Sequence, residues 1–326
     1  VSFPFLREFD GKDVPGAAVM LIRSGEAIYA EACGMADLER RLPCTVKTNF
    51  RLASLTKAFT AMAVMILAER GRMGFDDRLG KYVGGLPAWS AEATIRQLLT
   101  HRSGVWDYED LMPTDLTKQV KDADVAALLR GKAETYFASG TAFRYSNTGY
   151  ALLALAVEAA AGISFAEFLR GEIFLPLGMN ETVAFEEGIS VVANRAMGYA
   201  VTEGSVEEAD QSLTSSVLGD GGVYSSVNDL LKWDQALYGE RLVSEAMLRE
   251  AFRPWSKTTD FAGSGYGFGW YVSEARGTPS QWHYGSTCGF STRIERYPEQ
   301  KFTIILLANR RDVDFGEVAR KIIDDL

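Results

Sequence analysis

The chain has 326 residues, 47% of them hydrophobic and 24% charged, and a formal net charge of -9. Those proportions belong to a water-soluble globular protein with a large core, and the length alone leaves one large domain or two open. The acidic balance, without any Lys/Arg cluster, argues against nucleic acid or an anionic membrane surface as a partner, and no uninterrupted apolar run is long enough to span a bilayer.

In chain order, Gly16 to Arg23 and Ala27 to Cys33 read as two strands joined by a tight turn at Ser24–Glu26. Gly34 to Phe50 has the composition of a loop. It leads into Arg51 to Arg70, closed by Gly71, where nearly every residue from Ala58 to Ala68 is apolar. A helix with no polar stripe must be buried on all sides. Thr94 to Gly104 predicts a short amphipathic helix ended by glycine, with His101 near its end in a structural role, bonding the last carbonyls or orienting the next loop. Helical periodicity returns over Asp122 to Arg130, Asn147 to Ala161 and Ser164 to Gly171, followed by a turn at Leu175–Gly178. Gly219–Gly222 reads as a break, and Ser226 with Asp229 as a capping box before Leu230 to Tyr238.

From Tyr266 the pattern changes to strands: Gly267 to Ser273, a turn at Arg276–Pro279, then Gln281 to Gly285, Phe290 to Tyr297 and Phe302 to Ala308, with a closing helix from Glu317 to Leu326. The fold class expected is α+β: an antiparallel sheet built from N- and C-terminal segments with flanking helices, plus an inserted, mainly helical region. Residues 1–80 and 220–326 are expected to form the sheet-bearing part and 81–219 the helical part, in one compact unit with the site between them. Cys33, Cys44 and Cys288 are odd in number and lack metal-type spacing, and the chain has two histidines. No metal or cofactor is therefore expected, and free thiols are expected over a Cys33–Cys44 bridge. The first residue is Val1 rather than Met, which is read as a processed or trimmed start, with an extracytoplasmic location, periplasmic or secreted, slightly favoured over a cytoplasmic one.

At the start of the buried helix stand Ser54 and Lys57, three residues apart and hence on one helical face. A serine hydroxyl is a poor nucleophile until a base takes its proton, and a lysine in a desolvated site has its pKa lowered toward that task. The helix start adds unpaired N–H groups and a positive dipole end, which suit an oxyanion and disfavour a charged lysine. Two later stretches supply partners: Phe143 to Tyr150, with Tyr145 and Asn147 just before a helix, and Trp282 to Phe290, with His283 on a strand beside glycines.

Ser-x-x-Lys, Tyr-x-Asn and His-x-Gly, in this order, resemble the penicillin-recognising serine hydrolases: class C β-lactamases, soluble DD-peptidases, D-amino-acid peptidases and β-lactamase-like esterases. The segments Phe50–Lys57, Leu98–Gly104, Phe143–Ala151, Phe174–Met179 and Gly221–Ser225 resemble recurrent phrases of that family, so the likeness covers nearly the whole chain. It implies that Ser54 forms an acyl-enzyme and that Lys57 and Tyr145 share the proton transfers. It further implies that Asn147 bonds the substrate, that His283, Tyr284 and Gly285 line the substrate site, and that the backbone N–H groups of Ser54 and Ser286 form the oxyanion hole. The third motif departs from the family's Lys-Thr-Gly or His-Thr-Gly. Histidine is mostly neutral at pH 7, and Tyr284 places bulk where a small hydroxyl stood. That weakens recognition of a substrate carboxylate, which Thr287 or Arg293 are the candidates to restore. The expected function is a serine acyl-hydrolase on small esters or D-residue peptides with weak or no β-lactamase activity. The alternatives are a DD-carboxypeptidase or penicillin-binding protein and a non-turnover penicillin-binding sensor. The partner expected is a small ester or peptide substrate, and oligomeric state is not legible in the sequence.

Overall fold

The structure is a computed structural model describing residues 4–275 and 277–324. The hairpin at the start forms as expected. Strand β1 (Ala17–Arg23) meets β2 (Glu26–Cys33) through Ser24 and Gly25, both at positive φ (53° and 82°), the handedness that a two-residue connection between twisted strands requires. The later strands are β3 (Ser256–Lys257), β4 (Gly265–Tyr266), β5 (Tyr271–Ala275), β6 (Thr278–Thr287), β7 (Phe290–Tyr297) and β8 (Phe302–Ala308). They join the hairpin in one eight-stranded sheet, order β3-β4-β5-β6-β7-β8-β1-β2. Every neighbouring pair is antiparallel. The N- and C-terminal segments thus share a single sheet, as their patterning implied.

Alternation along β1 and β8 sends side chains to two different layers. Ala18, Met20, Ile22, Ile305 and Leu307 enter the main core, whereas Val19, Leu21, Ile304 and Leu306 pack with Phe9, Phe315 and Ile322 of the terminal segments. The main core contains α1 (Thr56–Glu69), buried without interruption from Thr56 to Leu67. Phe59 of α1 lies 4.4 Å from the Trp233 ring and 5.5 Å from Phe174, centroid to centroid. Helix α2 (Asn147–Ala161) packs against α1; Ser146 Oγ caps it by accepting from Gly149 N–H, and Gly162 ends it at φ 76°. Each large apolar side chain so enclosed contributes about 1.5–3 kcal/mol relative to exposure.

Several boundaries differ from expectation. The helix after Thr94 ends at Leu99 rather than near Gly104, because His101 adopts the left-handed region (φ 55°). Leu175–Leu177 continues a helical run instead of turning. Leu218–Gly221 is a helical turn, not a break. Ser226 caps α3 (Val227–Ala236), but Asp229 turns away to Lys232 and Thr182, so the capping box is only half made. Strands Tyr199–Thr202 and Ser205–Glu208 form a hairpin within the region expected to be mainly helical. The final helix, α4, covers Phe315–Asp324; Arg276 of the expected turn and residues 325–326 of the expected helix lie outside the described residues. Among the described residues, no single helix is long and apolar enough to cross a membrane, and all three cysteines are free thiols.

Candidate active site

The turn that presents Ser54 is strained and clamped. Ala53 is buried and held at φ 50°, a conformation that costs a non-glycine residue about 1–3 kcal/mol and persists only where the surroundings over-determine it. Here they do. Leu52 N–H donates to the Val223 carbonyl (2.8 Å), and Thr292 Oγ1 on β7 donates to the Leu52 carbonyl (2.8 Å). Strand β6 presses against the same turn at Gly285, where a Cβ would run into the Leu52 carbonyl oxygen and the Thr292 hydroxyl. Glycine at 285 is therefore a packing requirement. It brings the residues after the third motif alongside the nucleophile.

Lys57 is fully buried one turn into the helical segment. Its Nζ donates to Ser54 Oγ at 3.0 Å, to Asn147 Oδ1 at 2.8 Å and to the Asp220 carbonyl at 3.0 Å, using the three protons an ammonium group has. Burial lowers its pKa from the ordinary lysine value, and the carboxylates of Asp220, Asp107 and Glu109 oppose that shift. The ring of Tyr145 lies 5.0 Å from Nζ; burial pushes its pKa well up, and the Ser54 hydroxyl beside it partly offsets that push. Ser54, Lys57, Tyr145 and Asn147, expected together from their motifs, are brought into one cluster, Lys57 bonded to Ser54 and Asn147 and set against the Tyr145 ring.

Asn147 is fixed at both ends. Its Oδ1 holds Lys57, its Nδ2 donates to Glu109 Oε1 at 3.1 Å, and its backbone N–H donates to Asp107 Oδ2 at 2.8 Å. One proton of the NH2 group stays free for a substrate oxygen.

His283 requires a correction. It was expected at the substrate; instead its ring is completely enclosed. Side chains alternate along β6, so 283 and 285 face inward while 284 and 286 face out. The Tyr284 carbonyl accepts from Nδ1 at 2.7 Å, which places the proton there and leaves Nε2 to accept from the Tyr266 hydroxyl at 2.9 Å. Burial, then the nearby Lys57 charge, lowers the His283 pKa to about 3, so the ring is neutral and stands behind the cleft wall. His101 is also buried; its backbone N–H donates to the Leu98 carbonyl at 3.2 Å, but its side chain bonds no helix carbonyl. Its Nδ1 accepts the Ser146 N–H at 3.1 Å and its ring lies 4.3 Å from that of Tyr145, orienting the loop that follows.

Three cavities surround Ser54 and its partners. A small one, about 60 Å³, is shared by Ser54, Asn147, Asp220, Ser286 and Thr287. A second, about 350 Å³, lies along Tyr284, Gly285, Ser286 and Arg293. Arg293 is bound to Glu295 at 2.7 Å, which leaves its charge largely matched, so Thr287 is the better placed of the two residues considered for binding an anion. The third, about 640 Å³, is the cleft beside Tyr145 and Asn147. It is lined by four carboxylates (Asp107, Glu109, Asp110, Asp260) and by the rings of Tyr136, Phe137 and Phe143, against a single cation, Arg144. Arg144 pairs with Asp110 at 3.6 Å and lies over the Tyr136 ring. None of these acids was singled out in the sequence. Asp107, Glu109 and Asp110 come from one short stretch and Asp260 from another, and only the fold brings the two together.

A strained serine turn, a buried lysine and a tyrosine within reach of both, set between a large antiparallel sheet and helices, define a serine hydrolase. The chain belongs to the beta-lactamase family, whose model matches residues 5–326. It is 34% identical over 325 residues to penicillin-binding protein 4* of Bacillus subtilis (strain 168), covering 94% of this chain and 71% of that protein. It is 27% identical to a D-aminopeptidase of Brucella anthropi, covering 95% of this chain but only 59% of the relative's length. The structure of a penicillin-binding protein from Bacillus halodurans superposes with a TM-score of 0.84 at 27% identity, covering 95% of both chains.

Proposed function

We propose that this chain is a serine acyl-hydrolase that forms an acyl-enzyme on Ser54 and acts on small esters or D-residue peptides, preferring acyl donors that carry a free ammonium group, with weak or no β-lactamase activity. The observation that carries the preference is the carboxylate-lined, aromatic-walled cavity beside Tyr145 and Asn147. Carboxylates attract a cation directly, and ring faces attract it through their quadrupoles. Likeness to a D-aminopeptidase over 95% of this chain supports the same reading.

In the reaction, Ser54 Oγ bonds to the carbonyl carbon while its proton passes to the Lys57–Tyr145 pair and on to the departing alcohol or amine. The oxyanion is held by the N–H groups of Ser54 and Ser286, which share the small cavity. Water then adds to the acyl carbon, the bond to Oγ breaks, and a proton returns to Ser54. Asn147 bonds the substrate through its free N–H. The cleft lies between the 1–80/220–326 part and the 81–219 part.

A second reading, a DD-carboxypeptidase or penicillin-binding protein, is favoured by the 34% identity to penicillin-binding protein 4*. One experiment separates the two: hydrolysis of a D-amino-acid p-nitroanilide and of its N-acetylated form, with intact mass after benzylpenicillin, on wild type and Ser54→Ala. The proposal expects the free amine to be preferred by at least about tenfold, equivalent to roughly 1.4 kcal/mol, all turnover to require Ser54, and no lasting adduct. A lasting Ser54-dependent adduct with no amine preference would establish the second reading, and turnover undiminished in Ser54→Ala would overturn both.

A further inference from the structure

Behind Lys57 lies a carboxylate that no step above uses. Asp220 is buried, and its backbone carbonyl already accepts a proton of Lys57 Nζ at 3.0 Å. Its side chain accepts from the Tyr108 hydroxyl at 3.0 Å and lines the small cavity that also opens on Ser54. The placement is specific. Gly219 sits so close to α2 that a Cβ there would strike the Tyr150 carbonyl, and the Gly219 carbonyl is held by Thr60 Oγ1 of α1 at 2.7 Å. Asp122 accepts the N–H groups of Leu218 and Gly219 at 2.9 and 3.0 Å. The turn that carries Asp220 is thus tied to both core helices.

We propose that Asp220 is a positioning residue for Lys57: its buried carboxylate stabilises the lysine's charged form and so governs when Lys57 is free to take the proton of Ser54. The proposal rests on the reading of Ser54 and Lys57 given above.

The other charged and titratable groups around the lysine contribute less to this control than Asp220 does. Asp107 and Glu109 approach from the loop before Tyr108, but Asp107 accepts two backbone N–H groups and Glu109 holds the Asn147 amide. Both line the wider cavity, where solvent screens them. His101 and His283 are buried and held neutral, and Tyr145 and Tyr150 present ring faces at 5.0 and 5.6 Å. On the far side of Asp220 stand Asp122, which burial pushes up to about 7, and the Arg51 guanidinium, which donates to the Ser215 carbonyl and lines the same small cavity. Asp220 leads the carboxylates that oppose desolvation of Lys57; burial pushes its own carboxyl up to about 7, with the Lys57 charge opposing that rise, so above this pH it presents a negative charge to the lysine.

The sign follows directly. Removing the negative charge withdraws support from the ammonium form, so Lys57 loses its proton at lower pH. The experiment is the pH dependence of kcat/KM for p-nitrophenyl butyrate in wild type, Asp220→Asn and Tyr108→Phe, with melting curves on each. In Asp220→Asn the acid limb is expected to move down by about one pH unit, a roughly tenfold loss of proton affinity. Tyr108→Phe removes one hydroxyl that favours the ionised carboxylate, so it moves the limb the same way by less, and it carries the test alone if Asp220→Asn fails to fold. A lowered plateau or melting midpoint with the limb unmoved in the folded variants overturns the proposal. Turnover surviving Ser54→Ala would instead overturn the reading on which it rests.

Discussion

The two stretches that flank Ser54 present different parts of themselves to the cleft. The Phe143–Asn147 loop offers side chains: Asn147 accepts from Lys57, and the Tyr145 phenol reaches Ser54. The facing strand offers little more than backbone at its centre, with His283 turned inward between Tyr266 and its own chain and Gly285 stripped of any side chain against Leu52. A loop just before a helix projects side chains freely, whereas a strand between two neighbours alternates, so only every second residue reaches the cleft. Motif spacing alone hides that difference. Functional side chains are expected on the loop and spatial constraints on the strand, and substitutions on the two sides should fail in different ways.

The largest effects belong to the loop side and its lysine. Lys57→Met and Tyr145→Phe each remove a group placed to move protons, and such groups contribute about 10²- to 10⁴-fold in rate. The expectation is a fall of that size in kcat for ester hydrolysis, with KM changed much less, checked by steady-state kinetics on folded protein. Next comes the strand's constraint. Gly285→Ala forces β6 off the Ser54 turn, and overpacking of this kind costs about 1–3 kcal/mol. Because small displacements of reacting groups cost up to about 100-fold, kcat and melting temperature should fall together. An active, fully stable Gly285→Ala would break the comparison.

His283→Phe sharpens it further. The substitution leaves the Tyr266 hydroxyl and the Tyr284 carbonyl without their partner, at about 1–3 kcal/mol for each buried group so stranded. Stability should fall, while the ratio of kcat/KM for free-amine and N-acetylated substrates stays where it was. A changed ratio would mean that the imidazole acts on substrate after all.

The sheet shared by the two chain ends was legible because short apolar runs bounded by turn residues, with a tight turn at Ser24–Gly25, leave little choice of structure. The Ser54–Lys57–Tyr145–Asn147 group was legible because each member sits in a motif whose chemistry needs the others. His283 was misplaced because a histidine beside glycines reads alike whichever face of the strand it occupies, and facing is settled by register, here His283 opposite Ile294. The acidic cleft was invisible for a different reason. Asp107, Glu109 and Asp110 lie more than a hundred residues from Asp260, and no local pattern links them. His101 shows a middle case: a structural role was readable, its left-handed backbone and its bond to Ser146 were not.

The smallest effect tests the large side chain that the strand turns outward. Tyr284 is 38% exposed, its ring 5.7 Å from that of Phe261, and it lines the cavity with Ser286 and Arg293. In Tyr284→Thr a hydroxyl able to bond a carboxylate replaces the ring. A hydrogen bond to a charged group contributes about 1.5–3 kcal/mol, from which about 0.5–1.5 kcal/mol of aromatic packing must be subtracted. Arg293, bound to Glu295, adds little. The net gain for an anionic substrate is about 1 kcal/mol, so acylation by benzylpenicillin, followed by intact mass, should quicken about fivefold while the rate with a cationic D-amino-acid ester is unchanged. Equal acceleration of both would mean that Tyr284 merely narrows the entrance. No change in either would mean that the carboxylate of a β-lactam lies elsewhere, with Thr287 in the small cavity beside Ser54 as the next residue to substitute.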